Sequence, residues 1–366
     1  MSSIKLQNLR KTFGPVEAVK SLDLEFANGE FAALLGPSGC GKSTTMNMIS
    51  GLETPTSGDI YFGNTPVTHV PAGKRGVGFV FQNYAIFSHM SVFDNIAFGL
   101  KVRKLSGDDI KRKVQQVAEL LELTGMLHHN AGRLSINDMQ KVAIGRSMIL
   151  EPQIFLLDEP FSNLDASFRF YMRGQLKRFQ REIKQTMIYV THDQVEAMSM
   201  ADKIAVMDFG ILQQFGTPDE IYNQPTNTFV ANFIGSPSMN FMDCTFHQHN
   251  GAGLLTHHSG GRVSLDDKRS RLLEQNPDKS NAFILGIRPE YLHLHSQPAA
   301  DSWWQTTVYM VEPLGSKTIV HLQLGTDIVQ AIAPADFRAE PSTPQWLELP
   351  PDHIHIFGKS TEQAIR

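Results

Sequence analysis

The run "FAALL" at 31–35 passes directly into "GPSGCGKST" at 36–44, and no other stretch of the chain restricts the fold so strongly. Five apolar residues without polar alternation suit a strand buried on both faces, the habit of parallel sheets. The spacing G-x-x-x-x-G-K-[ST], placed after such a strand and before a helical segment, is that of a phosphate-binding loop. Gly36, Gly39 and Gly41 let backbone N–H groups turn toward an anion, and Pro37, Ser38 and Cys40 fill the turn between them. The helix that follows favours negative charge at its start; Lys42 reaches the terminal phosphates, and Ser43, next to Thr44, offers a hydroxyl to Mg²⁺.

A chain of 366 residues exceeds one compact core, so two domains are expected. The first reads as strands alternating with helices: "QIFLLDEP" is a second buried strand, and "DDIKRKVQQVAELLEL" has helical period. That pattern predicts α/β with a mostly parallel sheet. After about residue 235 the texture changes to short segments rich in aromatic and β-branched residues, such as "WWQTTVYMVEP" and "TIVHLQLG". The expected division is therefore 1–235 as an α/β domain and 236–366 as a small all-β domain of one or two barrels, with "AEPSTPQ" at 339–345 as a late loop. The formal net charge of −4 argues against a nucleic-acid partner. Two cysteines far apart, Cys40 and Cys244, form no disulfide framework and suit a reducing compartment. Nowhere do eighteen apolar residues run together, so any membrane role is expected to be peripheral.

Asp158 and Glu159 end the strand "IFLLD", at the edge where open α/β sheets place ligands. With these residues the chain resembles the ATP-binding subunit of an ABC transporter: Gln82 in "FVFQNYAIF" falls at that family's Q-loop, Asp165 in "FSNLDA" at its D-loop, and His192 in "YVTHDQ" at its switch histidine. Phe13 in "KTFGPVEAV" matches the aromatic on which adenine stacks. The resemblance implies an ATPase with ATP and Mg²⁺ as cofactors. Glu159 would take a proton from the attacking water, and His192 would contact the γ-phosphate and orient that water. Ser43, Gln82 and Asp158 would hold Mg²⁺, and a helical subdomain over about 86–150 would face the membrane. The same resemblance sets a departure at 134–138. There the family has L-S-G-G-Q, the surface that closes over the opposite subunit's ATP together with the D-loop, and this chain has "LSIND". Ser135 and Asp138 have the spacing of a capping box. Ile136 and Asn137 replace glycines, and Asp138 adds a carboxylate where a neutral side chain is expected. The half-site made by this signature is thus expected to be weak, which favours a heterodimer with an L-S-G-G-Q partner over a slow homodimer.

"FIGSPSMNF" and "GIRPEYLHL" resemble the junction and the β-rich, OB-like C-terminal domain of the subfamily that serves carbohydrate, polyol and glycerol-phosphate importers. The partners so implied are integral membrane permease subunits, a second ATPase subunit and, indirectly, an extracytoplasmic solute-binding protein, with the chain on the cytoplasmic face of the cell membrane. Two alternatives stay open: a nucleotide-binding regulatory subunit with weak hydrolysis, and a soluble ABC ATPase without a transporter. Three histidine pairs, His247/His249, His293/His295 and His353/His355, each put two imidazoles on one strand face. No cysteine or paired acid accompanies them in sequence, so no metal is expected there.

Overall fold

The computed structural model describes residues 2–162, 164–249, 252–275, 281–298 and 303–366. It divides into two compact units, Met1–Pro218 and Asp219–Arg366. In the first, strands β1 (Ile4–Phe13), β2 (Val16–Phe26), β3 (Phe31–Leu35), β4 (Ser57–Phe62), β5 (Thr65–Pro66), β6 (Val77–Val80), β7 (Ile154–Asp158), β8 (Thr186–Thr191), β9 (Lys203–Asp208) and β10 (Ile211–Gly216) make two sheets. The larger has the order β10-β9-β3-β8-β7-β6, parallel except for the edge strand β10. Helices α1 (Lys42–Ser50), α2 (Val92–Val102), α3 (Gly107–Leu120), α4 (Ile136–Met148), α5 (Ala166–Ile183) and α6 (Gln194–Met200) complete the unit.

The unbroken apolar runs have a direct cause in this layering. Successive residues of a strand point to opposite faces, and here both faces are buried. Ile154 and Leu156 pack with α1 residues Met46 and Ile49, whereas Phe155 and Leu157 pack with Val142 of α4 and Leu176 of α5. The strand-and-helix reading did not foresee the smaller sheet, β2-β1-β4-β5, which is antiparallel. Its register shifts at Leu6/Leu9 beside Asn8, whose φ is +46°, and such a bulge interrupts the alternation by which a half-buried strand is recognised.

In the second unit, β11 (Asn240–His249), β12 (Ala252–His257), β13 (Arg262–Leu265), β14 (Ala282–Ile287) and β20 (Ile354–Gly358) form one antiparallel five-stranded sheet. The other comprises β15 (His293–His295), β16 (Trp304–Pro313), β17 (Thr318–Leu324), β18 (Asp327–Ala333) and β19 (Pro344–Glu348). One apolar core, with Leu255, Leu285, Trp304 and Val320, is shared by both sheets. The loop expected at 339–345 is shorter, because Pro344 and Gln345 already belong to β19, where a proline is tolerated at the first residue of a strand. Residues 219–235 pack with this unit: the buried Arg288 donates to the carbonyl oxygens of Tyr222 (2.6 Å) and Ile234 (2.6 Å) and lies 3.7 Å from the Tyr222 ring centre. No helix among the described residues is long and apolar enough to cross a membrane.

Candidate functional site

Three elements of the large sheet deliver the site. β3 runs into the phosphate loop, whose tightness explains its glycines: a Cβ on Gly36 would stand 2.2 Å from the Met207 carbonyl oxygen, and one on Gly41 2.4 Å from that of Ala18. Gly41 also has φ +98°, which only glycine adopts without strain. It leads into α1, so the first N–H groups of that helix face the loop. The Lys42 ammonium is buried and donates to the carbonyl oxygens of Gly36 and Pro37, both at 2.8 Å, with the Cys40 sulfur at 3.6 Å. Burial pushes the Cys40 thiol up, partly offset by Lys42, and the group is a free, inert thiol.

β7 ends in the acids. The Ser43 hydroxyl donates to Asp158 at 3.2 Å. Burial raises the Asp158 carboxyl above its ordinary value; the Ser43 hydrogen bond opposes this, the charge of Glu159 adds to it, and Lys42 opposes it. Glu159 stands at φ +44°, a sparsely populated region for a non-glycine residue, held by its N–H donating to Val190 at 3.0 Å. Its two carboxylate oxygens are shared: one lies 3.1 Å from His192 Nδ1, and the other accepts from Gln82 Nε2 at 3.4 Å. Gln82, Glu159 and His192, separated by up to 110 positions in the chain, thus meet beside Asp158 and the lysine of the loop. Phe13 is half exposed at the tip of the β1–β2 hairpin, with the Lys11 ammonium 4.8 Å from its ring centre.

The signature stretch is folded as a capping box. Ser135 is the N-cap of α4; its hydroxyl accepts from the Asp138 N–H at 3.2 Å and donates to the Asp138 carboxylate at 2.6 Å. The same box starts α2 with Ser91 and Asp94, and α3 with Ser106 and Asp109. Ile136 is 53% exposed. Asp165, the N-cap of α5, is held below the usual carboxylate range by the Phe168 N–H, then the Ser167 hydroxyl and the Asn137 side chain, so signature and D-loop touch through Asn137. Asn163, within the same D-loop, lies outside the described residues.

Two supporting groups were missed in the sequence. Gln140 is fully buried and its amide donates to the Pro160 carbonyl, directly after Glu159. Glu196, 3% exposed, accepts from the hydroxyls of Tyr189 and Thr191 at 2.7 Å each, and Thr191 in turn accepts from the Asp193 N–H at 2.9 Å. The turn that carries His192 is thereby fixed. Neither had a signal in the sequence: Gln140 stands beside Lys141 in "QKVAIG" and Glu196 close to Asp193 and Gln194, so both look like surface positions.

A Gly-rich anion cradle under a parallel sheet, with acids, an amide and an imidazole converging on it, defines a P-loop nucleotide-binding cassette. The chain belongs to the ABC transporter ATP-binding family: the ABC transporter model of that family matches residues 19–162, the MalK OB fold domain 235–292 and the TOBE domain 285–357. It is 44% identical to the trehalose/maltose import ATP-binding protein MalK of Thermococcus litoralis, and 39% identical to the sulfoquinovosyl glycerol transport ATP-binding protein SmoE of Agrobacterium fabrum, each over the full length of both chains. Among solved structures it is similar to the dimeric bacterial ABC transporter cassette MJ0796, with TM-score 0.55 and 29% identity over 59% of this chain and 98% of that one. The chain is an ABC-type, ATP-binding ATPase.

Proposed function

We propose that the chain is the ATP-hydrolysing subunit of an importer for carbohydrates or related polyols and glycerol phosphates, and that it works as one member of an ATPase pair beneath two membrane permease subunits. The names of the relatives support the cargo class. The observation that carries the chemistry is the meeting of Gln82, Glu159 and His192 on a single carboxylate beside the phosphate loop.

In this reading Phe13 stacks on adenine, and residues Gly36 to Thr44 cradle the phosphates, with the Lys42 ammonium exchanging its loop carbonyl partners for phosphate oxygens. Ser43, Asp158 and Gln82 are hard oxygen donors that suit Mg²⁺, an ion that takes few protein ligands and keeps its waters. The ion would supply neutralisation of charge on the terminal phosphates. Glu159 accepts the proton of the attacking water, and His192, hydrogen-bonded to it, orients that water toward the γ-phosphorus. Ser135, Ile136, Asn137 and Asp138, together with Asp165, face the ATP of the opposite subunit.

A regulatory subunit with weak hydrolysis is the second reading, and one observation favours it. The Ser135 hydroxyl, the donor that would meet a γ-phosphate, is already given to Asp138. The heterodimer reconciles both: this chain's loop, Glu159 and His192 would work against a partner's intact signature. The test is steady-state hydrolysis by the purified chain alone and with an L-S-G-G-Q partner in membranes that hold the permeases. Stimulation of ATP turnover by a loaded sugar-binding protein supports the importer; turnover indifferent to permeases and binding protein argues for a soluble ATPase.

A further inference from the structure

We propose that His257, His258 and Asp327 form a binding site for one zinc-class divalent ion, which staples together the two sheets of the C-terminal unit. His257 is the last residue of β12 in one sheet, and Asp327 the first of β18 in the other. Their ligand atoms and that of His258 lie within 4.8 Å of one another.

A buried histidine bonded to a carboxylate is common as a purely structural pair, and His257 Nε2 to Asp327 Oδ2 at 2.9 Å is such a bond. It is the second imidazole that a structural pair does not need. His258 Nδ1 faces the same Oδ2 at 3.9 Å, and its ring centre stands 4.0 Å from that of His257. Two ligands on one tetrahedral Zn²⁺, each at about 2.0–2.1 Å, are roughly 3.4 Å apart. The distances of 2.9 and 3.9 Å bracket that value, so an ion needs side-chain shifts of about half an ångström.

The outer nitrogens are already provided for. His257 Nδ1 is 2.8 Å from the Ser259 hydroxyl and His258 Nε2 is 3.0 Å from the Thr326 hydroxyl, with the backbone N–H groups of the same two residues farther off at 3.3 and 3.5 Å. Metal-binding histidines are oriented in this way by partners on the nitrogen that does not bind. In the structure His257 Nδ1 accepts from the Ser259 N–H at 3.3 Å, so binding an ion moves the His257 proton from Nε2 to Nδ1, where the Ser259 hydroxyl accepts it and the longer N–H contact is given up. Trp304, stacked on His257 at 5.5 Å, fixes the ring plane. Two nitrogens and one carboxylate oxygen select zinc over Mg²⁺ or Ca²⁺, which favour all-oxygen shells. The side chains of His258 and Asp327 are 45% and 36% exposed and give the ion its entry, with a fourth position left to water. His257 and His258 also border a cavity of about 310 Å³.

The test uses the full chain stripped by a chelator and titrated with Zn²⁺ or Co²⁺. All three tryptophans lie in the C-terminal unit, so quenching of their emission by Co²⁺ reports this site and not the phosphate site. The expected result is one equivalent bound with quenching, retained in His192→Ala and weakened at least 100-fold in both His258→Gln and Asp327→Asn. His258 is a surface side chain, and unchanged metal-free tryptophan emission by its variant verifies the fold of the C-terminal unit. Failure to bind Zn²⁺ overturns the proposal. So does binding that survives both variants, or that is lost only in His192→Ala or only in Glu348→Gln, the acid that the structure sets 3.4 and 3.0 Å from His293 and His295.

Discussion

The triple substitution Ile136→Gly, Asn137→Gly and Asp138→Gln separates what the signature does for the helix from what it does for the nucleotide. In the chain as it stands, Asp138 accepts the Ser135 hydroxyl at 2.6 Å and places a carboxylate in the first turn of α4. Removing that charge gives up about 0.3–1 kcal/mol of dipole and capping stabilisation. Two glycines in the first turn cost up to about 1 kcal/mol each. The variant should therefore unfold a few degrees earlier. The nucleotide effect has the opposite sign and is larger. A unit negative charge about 6 Å from a phosphate charge costs roughly 3 kcal/mol at an effective dielectric near 20, and solvent around the half-buried Asp138 reduces this. With the Ser135 donor released as well, steady-state hydrolysis by the purified homodimer should rise about 10- to 100-fold while its melting temperature falls. The assay is phosphate release at saturating Mg-ATP, beside a thermal melt without nucleotide. Rapid hydrolysis by the unmodified homodimer with no gain in the variant would refute the reasoning and make "LSIND" a working signature.

Because burial raises the Asp158 carboxyl, its charge opposes folding at neutral pH; Asp158→Asn should melt no lower than the parent without nucleotide while losing Mg²⁺-dependent turnover, and a clear drop in melting temperature would contradict this. Glu196→Ala strands the buried hydroxyls of Tyr189 and Thr191, so the melting temperature should fall by several degrees and turnover at least 10-fold through displacement of His192; unchanged turnover in a folded variant would remove the positioning role. His355 is pushed down to about 4 by burial and by Arg288, Arg366, Arg269 and His353. It stays neutral in the folded chain and protonates first in the unfolded one, so its contribution is full above about pH 6.5 and is lost as pH falls toward about 4, at most about 3 kcal/mol. Denaturation followed by tryptophan emission should show this loss in the parent and a flatter profile in His355→Phe; identical profiles would refute it.

What could be read from the sequence was local. The phosphate loop lies within nine consecutive residues, and Asp158 and Glu159 sit at the end of an apolar run, so strand direction places them. Gln82 and His192 are ordinary polar residues by spacing alone. They were reached through the resemblance, and only the pairing β7–β8 with the left-handed turn at Glu159 explains why they meet. Gln140 and Glu196 act from inside the core, where a polar residue looks like any surface position until its partners are known. The histidine pairs show the same limit from the other side. No acid adjoins His293 and His295 in sequence, yet the β15–β19 register sets Glu348 directly opposite His293. Likewise His257, His258 and Asp327 are joined only by two sheets folding against one core.

The most direct measurement of the central claim is single-turnover hydrolysis by Glu159→Gln beside Lys42→Ala and the parent chain, with nucleotide retention recorded in the same samples. Lys42→Ala should lose ATP binding, because the ammonium is the one buried cation of the loop among the described residues. Glu159→Gln should hold ATP as tightly as the parent or more so, with hydrolysis reduced by at least two orders of magnitude. Hydrolysis at the parental rate in Glu159→Gln, or ATP retained undiminished in Lys42→Ala, would contradict the account.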